Sequence, residues 1–216
     1  MSSTNGVRRL LRSSVCLALV LCMAPMPASA QAREAPTTAA DLTGGAAPGS
    51  PIYGFAPDEV AQYQRADALV HEERAHEAVP LLEALAHTRP TNAVLGLLVA
   101  AVASARYDAS DVDDLVAHAD AHPADPLPNF IAGVAVHYMG HIDGRDRAQK
   151  SAAYEEAIRL LQRARGAYAD ISRLWIYLVV SYHRTGRQAQ AEAAIARAMA
   201  VAPEDDPDAW YCRAEV

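Results

Sequence analysis

The chain has 216 residues, 51% of them hydrophobic but only 6% aromatic, a balance that suits alanine-rich helices and argues against a β-sandwich or barrel. Its 26 acidic side chains outnumber 19 basic ones, a formal charge of −7, which makes nucleic acid and anionic lipid poor partners. That length accommodates one ordinary domain or one short solenoid.

Residues 1–30 place Arg8, Arg9 and Arg12 ahead of an apolar run from Val15 to Ala24, followed by Pro25-Met26-Pro27 and the small-residue end Ala28-Ser29-Ala30. This is the layout of a secretory signal peptide cleaved after Ala30, and the apolar run is too short for a transmembrane helix. The expectation is an exported chain, periplasmic or secreted, with no transmembrane segment after cleavage. Lipidation at Cys22 is the competing reading, but bulky Leu21 stands where such sites take a small side chain. Cleavage removes three arginines and no acid, leaving 16 basic against 26 acidic residues and a charge of −10. It also removes Cys16 and Cys22, so Cys212 has no internal disulfide partner. Cys212 then reads as a half-buried residue near a helix end, with an intermolecular bridge as the alternative.

Residues 31–56 are rich in Ala, Pro, Gly, Ser and Thr without apolar periodicity and read as a flexible leader, ending in the more apolar Ile52, Tyr53 and Phe55, which are placed to cap the first helix pair. Helices begin at Pro57-Asp58-Glu59, with proline in the first turn and acids at the positive end of the helix dipole. Leu69 and Val70 close the first apolar face, the segment 71–74 turns the chain, and Ala78, Leu82 and Leu85 carry the partner helix to Pro90.

A second pair runs over residues 92–125. Asn92 to Ala105 is an almost unbroken apolar run with small residues at Gly96, Ala100 and Ala103, expected of a helix packed on both sides. Its partner starts near Ser110 or Asp111 and passes through Val112, Leu115, Val116 and Ala119 to Pro123. A third pair, 126–171, places Ile131, Val134, Ala135 and Tyr138 on one face and Ala157, Leu161 and Ala164 on the next. Between these helices HIDGRDRAQK lengthens the unit by ten residues.

The fourth pair, 172–205, has the clearest pattern. Trp175, Leu178, Val179 and Tyr182 fall at i, i+3, i+4 and i+7; after Thr185-Gly186 come Ala191, Ile195, Ala198 and the stop at Pro203. Ala78, Leu82 and Pro90 repeat the mutual spacing of Ala191, Ile195 and Pro203. These residues resemble the 34-residue tetratricopeptide repeat, W-x2-L-G-x2-Y…A-x3-F…P, with Val179 in place of its small residue and Ile195 in place of its aromatic. The resemblance implies an all-α, right-handed solenoid of antiparallel helix pairs: about four repeats over residues 57–216, closed by a capping helix over 206–216.

The same resemblance implies a protein or peptide partner on a concave surface lined by the first helix of each unit. Carried over, that surface takes Tyr63 and Asp67 from the first unit, Asn129 and Val136 from the third, and Arg173, Ile176, Val180 and His183 from the fourth. Arg173 and His183 are the groups able to pair with a peptide carboxylate. Lys150 is the one lysine in the chain, so an acidic C-terminal peptide is a poor ligand.

Chemistry is harder to find. There is no nucleophile elbow, phosphate-binding glycine loop, HExxH motif or Cys-His arrangement, so no catalytic residue, cofactor or metal is assigned and the chain reads as non-enzymatic. Two histidine pairs at i, i+4, His118 with His122 and His137 with His141, each place two imidazoles on one helix face. His137 and His141 have Asp143 and Asp146 nearby, which gives the alternative of a small-ligand or metal-binding periplasmic protein using the inserted loop 139–150. Against it, His141 lies at a helix end with no third helical ligand, and solvated helix-end histidines are the simpler expectation. Asp108, Asp111, Asp113 and Asp114 lack the glycine and glutamate of a calcium loop and read as an acid-rich first turn.

Overall fold

The structure, a computed structural model, describes residues 52–105, 107–142, 144–202, and 208, 210 and 213. The signal-peptide reading, nearly all of the leader, Cys212, Asp143 and most of the capping segment lie outside these residues.

Among the described residues the fold is all-helical, with eight helices and no strand: α1 (Pro57–His71), α2 (Ala75–Thr88), α3 (Asn92–Ser104), α4 (Ala109–Ala121), α5 (Pro126–His141), α6 (Arg147–Ala164), α7 (Ser172–Arg184) and α8 (Gln188–Val201). No helix among them is long and apolar enough to cross a membrane. Polar residues ahead of the apolar runs set several starts. Thr91 Oγ1 accepts from Val94 N at 3.3 Å, Asp125 Oδ1 from Leu127 N at 3.1 Å, and Asp108 and Asp146 each form a reciprocal capping box, with Asp111 and Gln149. Asp108 and Asp111 are thus spent on a helix start, as the acid-rich first turn implies.

Two reversals match closely. After α7, Gly186 has φ +75° and the Arg187 amide donates to the Tyr182 carbonyl at 2.9 Å; after α1, Glu73 has φ +60° and the Arg74 amide donates to the Leu69 carbonyl at 2.9 Å. Both are the C-terminal cap in which a left-handed residue lets the next amide reach back five positions. At the N-terminal edge Ile52 and Phe55 are buried, so this end does cover the first helix pair, while Tyr53 points to solvent.

Consecutive helices α1–α2, α5–α6 and α7–α8 pack on one another, and α2–α3, α4–α5 and α6–α7 join one pair to the next, an order compatible with stacked helix pairs. Two features depart from simple stacking. Helices α3 and α4 do not pack along their length, although the sequence pairs them. And α3 also packs on α7, two units away, where stacked repeats touch only their neighbours. The contact is specific: Asn92 Oδ1 accepts from the Ser172 amide at 2.8 Å and from Ser172 Oγ at 3.1 Å, supplying the cap that α7 lacks from its own chain segment.

Helix α5 is the centre of the molecule. Twelve of its sixteen residues are buried, and it packs on α2, α3, α4, α6 and α7. Its glycines allow α6 to approach: a Cβ at Gly133 would stand 2.8 Å from Leu161 Cγ, and one at Gly140 would stand 2.7 Å from Tyr154 Cζ. The ten extra residues of this unit do not form a projecting loop. Measured against α7 and α8, one extends the end of α5, two lengthen the connection at 142–146, and seven extend the start of α6.

Candidate functional site

The residues proposed to face a partner divide by burial. On α1, Tyr63 is half-buried with its ring edge-on to Phe55 at 6.4 Å, and Asp67 is half-buried with its carboxylate 3.5 Å from His71. On α7, Arg173, Val180 and His183 are half-buried; Arg173 pairs with Asp208, and His183 Nδ1 is buried without a hydrogen-bond partner. Asn129, Val136 and Ile176 are buried. The Asn129 amide donates to the Asp125 carbonyl at 2.7 Å and the His122 carbonyl at 3.1 Å, closing the α4–α5 turn, while its Oδ1 is buried unpaired. Arg173 and His183 are ten residues apart on one helix, about 15 Å along its axis, too far to clamp a single carboxylate.

The half-buried members flank helix α3, which packs on both α1 and α7. This helix carries no charged residue in thirteen, yet Ala93, Gly96, Leu97 and Ala100 are only half-buried and Ala103 is exposed. Those positions recur at helical spacing and so share one face. Gly96 lies against Arg173, whose Nε is 3.7 Å from where a Cβ would be.

A second constellation lies where α5, α6 and α7 meet. His137 is 3% exposed, so it is a core residue and not a solvated helix end. Its Nδ1 lies 2.9 Å from Ser181 Oγ and its Nε2 lies 3.1 Å from His141 Nε2. Aromatic rings wall it in, with Tyr177 at 4.9 Å, Tyr154 at 5.4 Å and Tyr138 at 5.9 Å between centroids. Tyr138 and Tyr177 join their hydroxyls at 2.8 Å. Burial, reinforced by His141 and Arg184, holds the His137 imidazole well below its usual pKa and therefore neutral. Burial likewise pushes the Tyr177 phenol well above its usual value. Ser181 is fully buried, so this Ser-His-His chain offers no nucleophile to a substrate. The sequence does carry a sign of it: Phe130 to Gly140 is apolar except for His137, and a run with no polar face leaves its one imidazole nowhere to go but inside.

The third feature is a shallow cleft of about 80 Å³ between α2, α4 and α5, lined by Glu83, His87, Leu115, His118, Leu127, Pro128 and Ile131. Burial raises the Glu83 carboxyl above its usual pKa, against the pull of His87 and His118. The rings of His118 and His122 lie tilted at 47° with centroids 4.5 Å apart, and His122 Nδ1 bonds the His118 carbonyl at 2.9 Å, which ties that ring to its own helix end. Asp146, grouped with the insertion histidines by sequence, has its carboxylate engaged by the Gln149 amide at 2.8 Å. Among the described residues no group of three or more His, Cys, Asp or Glu converges as a metal site.

No family model matches this chain, and neither the curated proteins nor the solved structures give a significant match.

Proposed function

We propose that this chain is an exported helical-repeat scaffold of the tetratricopeptide kind, periplasmic or secreted, which binds a protein or peptide and catalyses no reaction. Export rests on the charged, apolar and small-residue sections of residues 1–30. The repeat reading rests on the shared spacing of Ala78, Leu82 and Pro90 with Ala191, Ile195 and Pro203. It gains support from the left-handed reversals at Glu73 and Gly186, each five residues before the corresponding alanine.

The observation that carries the binding reading is the uncharged stripe of α3, Ala93, Leu97, Ala100 and Ala103, which faces solvent wholly or in part beside Arg173. A solvent-facing helix without charge loses free energy to water that an apolar partner recovers, at about 25 cal/mol per Å² covered. Tyr63 and Asp67 on one flank, with Arg173, Val180 and His183 on the other, supply polar and aromatic contacts around it. Asn129, Val136 and Ile176, being buried, take no direct part.

The test is crosslinking of the mature chain, residues 31–216, in its native envelope extract, with mass spectrometry of the captured species. One dominant partner crosslinked to α3 and α7, and lost in Leu97→Glu, is the expected result. Crosslinks only to itself or to nothing, or capture indifferent to Leu97→Glu, overturn the reading.

A further inference from the structure

We propose that His137 and His141 form a two-nitrogen chelate for one borderline divalent cation, of the class of Zn²⁺, Ni²⁺ or Cu²⁺, with water completing its coordination. The proposal is independent of the scaffold reading and rests on the geometry of α5 and α7.

Two imidazoles at i, i+4 share a helix face, but sharing a face does not make the nitrogens converge. Here they do. His137 Nε2 and His141 Nε2 are 3.1 Å apart. Two nitrogens at roughly 2.0–2.1 Å from one ion stand about 3.0 Å apart at right angles and about 3.4 Å apart at the tetrahedral angle, so the observed spacing lies within the chelating range.

The ring that matters most is already oriented. Ser181 Oγ lies 2.9 Å from His137 Nδ1; with Nδ1–H donating to that hydroxyl, Nε2 is the lone-pair nitrogen, the arrangement in which an outer partner orients a ligating histidine. Tyr154 and Tyr177 hold the same ring edge-on, so little rotamer entropy remains to be lost on binding. His137 lies at the floor, 3% exposed, while His141 is half-buried at the rim.

Without metal, one imidazole donates its Nε2 proton to the other. Binding requires this proton to move to the other nitrogen of its own ring, with no net release and no redox change. Arg184, whose charge acts on His137, opposes a cation, so the site is expected to be of moderate affinity.

The experiment is calorimetric titration of the untagged, purified full chain with Ni²⁺ and with Zn²⁺. Copper(II) electron paramagnetic resonance reads the number of coordinating nitrogens. The expected result is one ion per chain with two imidazole nitrogens. His141→Gln, at the half-exposed rim and therefore compatible with folding, abolishes that binding. Ser181→Ala weakens it about tenfold through loss of the orienting partner, and Arg184→Gln strengthens it. No saturable binding, or binding that survives His141→Gln and is removed by His118→Gln with His122→Gln, overturns the proposal.

Discussion

Glu73 occupies a backbone conformation that its side chain disfavours. At φ +60° an L-residue bears a steric cost of about 1–2 kcal/mol, and glycine, which the equivalent reversal carries as Gly186, does not. Glycine gives back part of that gain through the freedom of the unfolded chain, so Glu73→Gly is expected to stabilise the protein by about 0.5–1 kcal/mol, read as a higher urea midpoint at unchanged slope. Glu83 makes a prediction in pH. Its carboxyl has a raised pKa in the folded chain because of burial, so the native state holds that proton more tightly than the unfolded state. The resulting stability is fully present below the unfolded value, about 4.3, and is lost as pH rises through the folded value. Glu83→Gln should therefore match the parent near pH 4 and exceed it at pH 7 by up to about 1 kcal/mol, discounted for partial solvent contact. An equal gap at both pH values would show that the carboxylate carries no burial penalty.

At the scale of elements, the most telling contact is a cap supplied from a distance. Helix α7 has no side-chain cap of its own, and Asn92, 80 residues earlier, accepts from its first amide and hydroxyl. Asn92→Ala removes both bonds, together with the one its Nδ2 donates to the Asp170 carbonyl at 3.4 Å, weakens the tie between α3 and α7, and is expected to cost about 1–2 kcal/mol in thermal or urea unfolding. Asn92→Asp, which keeps the acceptor, should retain most of it. This contact was not legible in the sequence, because asparagine ahead of an apolar run reads equally well as a cap for its own helix. The helices themselves were legible: α1, α2, α7 and α8 follow the apolar spacing and stop signals closely. The extra residues of the third unit were visible as a count but not as a shape. The spacing of Asp146 and Gln149 in HIDGRDRAQK is that of a capping box, but the count alone did not show that it starts the helix a full two turns earlier than in the fourth unit.

For the molecule as a whole, α5 decides the behaviour. Stacked repeats that touch only their neighbours unfold piecewise, whereas a helix packed on five others ties their stability together. The described helices should therefore unfold in one cooperative step. In a Trp210→Phe background, urea transitions followed by far-ultraviolet circular dichroism and by Trp175 fluorescence should coincide, and Phe130→Ala should lower both together by about 3–5 kcal/mol. Separated transitions, or a Phe130→Ala effect confined to one probe, would indicate independent units. The long-range tie between α3 and α7 works in the same direction, since it joins the second unit to the fourth.

What the sequence determined by itself was the helical class, most of the helix boundaries and the recurring spacing of the pairs, because these depend on local periodicity, capping and turn residues. The tertiary structure alone decided which helices meet. It left α3 and α4 apart, brought α3 onto α7 and buried α5. It also moved Asn129 and Val136 on α5, and Ile176 on α7, from an expected binding surface into the interior, because neighbouring helices cover those positions. The convergence of His137, His141 and Ser181 belongs to the same category. Two of these residues share a helix, but the serine arrives from α7, 44 positions away, and only close packing of α5, α6 and α7 sets the distances between them.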